Sequence, residues 1–248
     1  MTLVQTEPKK IYLWVDVQPI TTAWIYHNEE LWLISLSSDW TNWLTIADKN
    51  LWATSTDVSS ENSYWNYYQR WNCYWFKKWA TITTSSTKVN ASSYWPSNYY
   101  SDSTFRIVQV WDTSNNSNLW WGTWTVLERK WPCDVWFHIP TRTEINGLMN
   151  IMSSLWLSLS TWASLNTYLF APYNWYMGTS STNVWWIWSY WYWYISEANG
   201  TNNAYSVEMR PASLNYSTYS DIKWYWLTIR PFKNEAVQPR VWEWAKLN

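Results

Sequence analysis

Trp131-Pro132-Cys133-Asp134-Val135-Trp136-Phe137-His138-Ile139-Pro140-Thr141 is the stretch on which the reading of the fold turns, because a helix begins where it ends. Thr141-Arg142-Thr143-Glu144 has the form of a capping box. The Thr141 hydroxyl can accept from the backbone N–H of Glu144 while the Glu144 carboxylate reaches back to Thr141. Ile145, Leu148, Met149, Met152 and Leu155 then recur at helical spacing and give one apolar face. The pattern predicts a helix over 141–155.

Upstream and downstream of this stretch the composition is anomalous. The chain of 248 residues holds 29 Trp and only 4 Gly, whereas glycine ordinarily supplies about 7% of a chain, roughly 17 residues at this length. Position matters more than number. Trp40 follows Ser38-Asp39, where a turn calls for a residue of positive φ. Trp175 follows Asn174, the glycine slot of an Asn-Gly turn. Trp95 and Trp131 each precede a proline, and the doublets Trp120-Trp121 and Trp185-Trp186 fall where loops are expected. A protein that is truly rich in indoles is one reading. The other, which the positions favour, is that most of these residues stand for glycine, encoded by UGA in a source that reads UGA as glycine. On that reading the genuine tryptophans are those in strand-like surroundings: Trp43, Trp162, Trp242 and Trp193 or its neighbours. Strained or exposed indoles are then expected at the turns.

Hydrophobic residues make up 47% of the chain, enough for a core, and charged residues 14%. A net charge of -1 supplies no general attraction to nucleic acid or an acidic membrane. No apolar run has the length of a membrane span, and Met1–Lys10 lacks the apolar centre of a secretory signal. Neither nucleic-acid binding nor membrane insertion is expected.

Three segments are expected. Residues 1–41 read as an N-terminal β attachment segment, with short strands at Lys10–Leu13 and Leu31–Ile34 and polar turns at His27–Glu30 and Ser37–Asp39. So short a piece buries little core alone and should pack on a neighbour or another chain. Residues 42–234 form the main domain. It opens on the strand Trp43–Ile46, continues into a loop-rich insert over 54–118, and ends with strands at Tyr190–Ser196, Tyr205–Met209 and Tyr225–Pro231. Residues 235–248 read as a tail.

Reading Trp131 and Trp136 as glycine, the opening stretch resembles the "CPxGWHLPT" entrance of the Fibrobacter succinogenes major paralogous domain (FISUMP) family. Other stretches follow in order. Trp43–Leu51 is similar to the family's opening strand and its Lys-Asn-Leu end, and Phe170–Tyr176 to its Pro-Ala-Gly-Tyr-Arg segment. Trp191–Ser196 is similar to its Tyr-Trp-Ser-Ser strand, and Trp226–Asn234 to its closing Phe-Lys-Asn strand. Pro231 stands where the closing strand of the family usually has cysteine. The resemblance implies an α+β, C-type-lectin-like domain with a small twisted antiparallel sheet, one or two helices and long ligand-presenting loops. Related domains serve as variable proteins of diversity-generating retroelements.

Without the closing cysteine, Cys133 lacks the partner the family implies and only Cys73 remains. A Cys73–Cys133 disulfide and two separate thiols are both open. His138 takes the place of a structural histidine before the helix, and His27 has no second His or Cys at metal spacing. Asp112, Asn115, Asn116 and Asn118 offer oxygen ligands but lack the glycine and terminal Glu of a calcium loop, which favours a solvated loop. No metal and no cofactor is expected. Glu197 and Glu208 are the carboxylates that a catalytic pair would need, yet nothing in the sequence places them together. The enzymes on this fold, formylglycine-generating-type oxidases, use a late cysteine pair, and this chain has no cysteine after Cys133. No enzyme activity is expected.

Between Tyr173 and Tyr219 the sequence is dense in Tyr, Asn and Ser, the residue types of antibody paratopes, in which rigid aromatics combine with adaptable hydrogen bonding. The expected ligand face comprises Tyr190, Tyr192, Tyr194, Glu197, Asn199, Asn202, Asn203, Tyr205 and Arg210. The expected function is receptor recognition on a phage tail tip or another surface, with a cell-surface protein or glycan as partner and a homotrimer or larger assembly built through residues 1–41. A secreted adhesive or structural protein of the same family is the alternative. A relative of the formylglycine-generating enzymes is a third reading.

Overall fold

Antiparallel pairing dominates the computed structural model, which describes residues 24–28, 32–38, 42–63, 66–69, 72, 74–76, 81–87, 103–106, 133, 136–154, 168–171, 176–177, 184–185, 191–199, 203–209, 216–222 and 226–234. The strands in chain order are β1 Trp24–Asn28, β2 Leu33–Ser37, β3 Trp43–Ala47, β4 Tyr67–Gln69, β5 Trp75–Phe76, β6 Thr83–Ser85, β7 Thr104–Arg106 and β8 Phe137–His138. Helix α1, Arg142–Ser154, follows. After it come β9 Tyr176–Met177, β10 Val184–Trp185, β11 Trp191–Asn199, β12 Asn203–Met209, β13 Tyr216–Ile222, β14 Trp226–Leu227 and β15 Phe232–Lys233. The fold is mixed α/β, with mostly antiparallel sheets and a single helix of this length among the described residues.

One five-stranded sheet has the order β1-β2-β3-β15-β8 and a second the order β10-β9-β14-β4-β5. Strands β11, β12 and β13 form a three-stranded meander, and β6 pairs with β7 in parallel. The closing stretch 226–234 joins these layers. Its β14 belongs to the second sheet and its β15 to the first, where Phe232 pairs with both Ile46 and His138. Between them Thr228 bridges to Trp193 in β11, the Tyr194 N–H donates to the Thr228 carbonyl at 3.1 Å, and the Thr228 hydroxyl donates to the Tyr192 carbonyl at 3.0 Å.

Helix α1 forms where the capping box places it. Ile145, Leu148, Met149 and Met152 are fully buried, so the apolar stripe read from the sequence is the face that packs. It meets Ile34, Leu36 and Ile46 from the first sheet and Trp193, Ile195 and Val207 from the meander in one core. Each such side chain contributes about 1.5–3 kcal/mol by leaving water. The buried hydroxyls of Ser35 and Thr45, directly opposite in the β2–β3 register, satisfy each other at 2.9 Å.

Several local expectations need correcting. His27 is in β1, paired with Ile34, and not in a turn. Strand β2 begins at Leu33, Trp32 precedes it with φ of 57°, and Ser37 is inside the strand. The cause is register: β1 pairs along its whole length with residues 33–37, so the connection is displaced two residues along the chain from the one the polar residues suggested. From the segment 1–41, residues 33–37 thus lie between β1 and β3 and place Ile34 and Leu36 in the common core. Among the described residues the insert over 54–118 contains four short strands, and β13 lies between the strands expected at Tyr205–Met209 and Tyr225–Pro231. Trp185 is in β10 opposite Tyr176, not in a loop. Lys10–Leu13, Leu155 and the tail from 235 lie outside the described residues.

Candidate functional site

The start of α1 is a junction of four chain segments. Thr141, buried ahead of the first helical residue, accepts from the Glu144 N–H at 3.1 Å. Glu144 Oε2 in return accepts from the Thr141 N–H at 2.8 Å and from its hydroxyl at 2.7 Å. The capping box is therefore closed in both directions. Glu144 Oε1 lies 2.8 Å from Nε2 of His138 in β8, and Nδ1 of the same ring lies 2.8 Å from the side-chain amide oxygen of Asn234, just past β15. His138 is fully buried with both ring nitrogens held. The ring joins β8 to the first turn of α1 and to the residue after β15. Burial pushes the Glu144 carboxyl up, but the hydrogen bond and electrostatic pull of His138, with the Thr141 donors, outweigh it and hold the carboxyl below the ordinary range.

Beside this junction the meander supplies a second carboxylate. Glu197 Oε2 in β11 accepts from the Arg142 N–H at 2.6 Å, so a negative charge sits at the N-terminus of the helix. The Ser196 N–H donates to the Pro140 carbonyl at 2.8 Å and fixes β11 against the helix lead-in. The Arg142 guanidinium lies over the Tyr205 ring, 4.9 Å from its centroid, in cation–π range. Asn199 and Asn203 face each other across the end of the β11–β12 pair.

Arg142, exposed, and the half-buried Glu197, Asn199, Asn203 and Tyr205 thus make one polar, part-aromatic patch over a packed base. Four of these five belong to the expected ligand face. Arg142 was missed, although its position directly after a capping threonine signals an exposed first-turn residue. Two members of the expected face are elsewhere: Tyr192 and Tyr194 are 7% and 2% exposed, packed inside because this segment of β11 runs against residue 228. Tyr190, Asn202 and Arg210 lie outside the described residues.

The two carboxylate-bearing residues considered from sequence, Glu197 and Glu208, stand toward opposite ends of the β11–β12 pair. Glu208 pairs with Tyr192, whereas Glu197 lies five residues further along β11, within the stretch where the register shifts.

A second polar feature was not foreseen. Arg230 is fully buried and donates through its two terminal nitrogens to the carbonyls of Ala47 and Phe170, both at 3.1 Å, beneath the Trp193 ring. Desolvation lowers its pKa to about 9 against the opposing pull of Asp48, whose own carboxyl is raised by burial despite Lys49 and Arg230. Burial dominates the shift of both groups, and the hydrogen bonds of Arg230 tie Ala47 in β3 to Phe170.

Cys133 is buried, and Cys73, Asp112, Asn115, Asn116 and Asn118 lie outside the described residues. Among the described residues no three His, Cys, Asp or Glu side chains gather as a metal site, and no helix is long and apolar enough to cross a membrane. Comparison of the chain with protein-family models, curated proteins and solved structures gave no match.

Proposed function

We propose that this chain is a ligand- or receptor-binding surface protein, displayed on a virion or a cell surface, whose binding face lies at the junction of α1 with the β11–β12 pair. The observation that carries this reading is the patch of Arg142, Glu197, Asn199, Asn203 and Tyr205 on a base fixed by the capping box and the core. Rigid aromatic and amide groups on a preorganised support favour binding because little side-chain freedom remains to be lost. The finer assignment of the fold, C-type-lectin-like and related to the FISUMP family, rests on the order of the five resembling stretches. It is supported by the adjacency of the opening and closing strands, since Ile46 pairs with Phe232. The partner is a cell-surface protein or glycan, and residues 1–41 serve attachment to a larger assembly.

The test is binding of the labelled, purified chain to a panel of intact bacterial cells and to arrayed surface glycans. Saturable binding is expected on at least one, weakened about ten-fold or more, ~1.4 kcal/mol, by Asn199→Ala with Asn203→Ala. Both side chains are only half-buried, so thermal unfolding should be unchanged. Binding unaffected by the pair of substitutions, or no saturable binding at all, overturns the proposal.

A further inference from the structure

Two backbone positions occupied by tryptophan have the geometry of glycine. Trp32 has φ of 57° and Trp52 φ of 63°, both in the left-handed region. Their indoles are 55% and 66% exposed. An L-residue there costs roughly 1–2 kcal/mol through the clash of Cβ with backbone, and tryptophan has no short polar group to offset it. Each position is also one at which glycine has a defined task. The Ala53 N–H donates to the Asn50 carbonyl at 2.8 Å, so Trp52 is the third residue of a turn and alone has positive φ, the glycine position of a type II turn. Trp32 is the last residue of the β1–β2 connection, directly before Leu33, which pairs with Asn28. Left-handed glycine is common where such a connection enters its strand. What position 32 contributes to the fold is its carbonyl, which accepts from the Asp48 N–H at 2.9 Å and needs no side chain.

The other two described residues with positive φ differ in kind. Asn66 is a residue that tolerates this region. Phe170 is half-buried against the core, with its carbonyl held by Arg230, so its surroundings enforce the conformation. The indole of Trp32 meets Lys49, whose Nζ lies 3.4 Å from the ring centroid. Such an exposed contact is worth about 0.5–1 kcal/mol, less than the backbone cost. By contrast Trp43 and Trp193, in strands, are 9% and 0% exposed and fill the interior.

We infer that residues 32 and 52 are glycine in the protein as its source makes it, and that the tryptophans there are UGA codons read in the standard code. The excess of 29 Trp over 4 Gly is what such reading produces. The consequence for function is direct: the exposed indoles at 32 and 52 are not an aromatic platform for sugars, and the binding face must be sought elsewhere.

The test has two parts. In the gene, UGA is expected at both codons, and peptide masses of the protein from its source should show glycine at both; UGG or tryptophan at either position overturns the inference. In the protein expressed with this sequence, Trp52→Gly should raise the thermal midpoint by roughly 2–4 °C, and Trp32→Gly, which also loses the Lys49 contact, by less. Trp43→Gly should lower it. A lowered midpoint in either turn variant would also overturn the inference, because it would mean that the indole stabilises the turn.

Discussion

Glu144 concentrates three tasks in one side chain: it closes the helix cap, it holds the buried His138, and it carries a charge whose stability depends on pH. Its carboxyl titrates lower in the folded chain than in the unfolded one. The stabilisation is therefore complete above the unfolded value, about 4.3, and is lost as pH falls through the folded value. Asp48 acts in the opposite sense, because its raised pKa means that protonation at low pH relieves a burial cost. Glu144→Gln keeps a side chain able to accept in a capping box while removing the charge. It should cost about 1–3 kcal/mol at pH 7. Thermal unfolding measured from pH 3 to 7 should show a flatter acid limb in the variant than in the parent. Parallel acid limbs would mean that Glu144 is not a source of the acid sensitivity.

At the level of elements, the helix was the most legible part of the chain. A capping box and an apolar stripe are local signals, and both survive folding because nothing in the tertiary structure competes with them. Strands were less legible where their burial depends on distant partners. The segment Tyr216–Ile222 alternates Tyr, Thr and Ser with few aliphatics, and becomes β13 only because β12 lies beside it in register. Within the helix one residue departs from the local pattern. Gly147 is in the middle of α1, and a Cβ built there meets nothing within 4 Å. Its backbone freedom in the unfolded chain is lost on folding without any packing advantage. Gly147→Ala should stabilise the protein by about 0.5–1 kcal/mol, roughly 1–4 °C in thermal midpoint. A loss of stability would show that a neighbour closes on that face of the helix.

Across the whole molecule, the candidate site was half legible for a physical reason. Tyr, Asn and Ser content marks a region suited to contact, but what packs on β11 decides which side chains are covered: residues 192–196 are all buried, where the strand runs against residue 228 and the helix lead-in. Hence Tyr192 and Tyr194 are interior while Asn199 and Asn203 are not. Arg230 was illegible because a buried charge has no pattern in sequence; only the carbonyls of Ala47 and Phe170, distant along the chain, explain it. The same dependence on distant partners makes the core continuous. Leu36, fully buried, comes from β2, yet its core neighbours are drawn from α1, β11, β12 and β15. Leu36→Ala should therefore cost about 2–5 kcal/mol, from lost transfer energy and the cavity left behind. If the residues before Trp43 formed an independent unit, this substitution would lower one of two transitions and leave the helix signal untouched. The shared core requires instead that helical circular dichroism and tryptophan fluorescence shift together to a lower temperature in a single transition, and separate shifts would refute it.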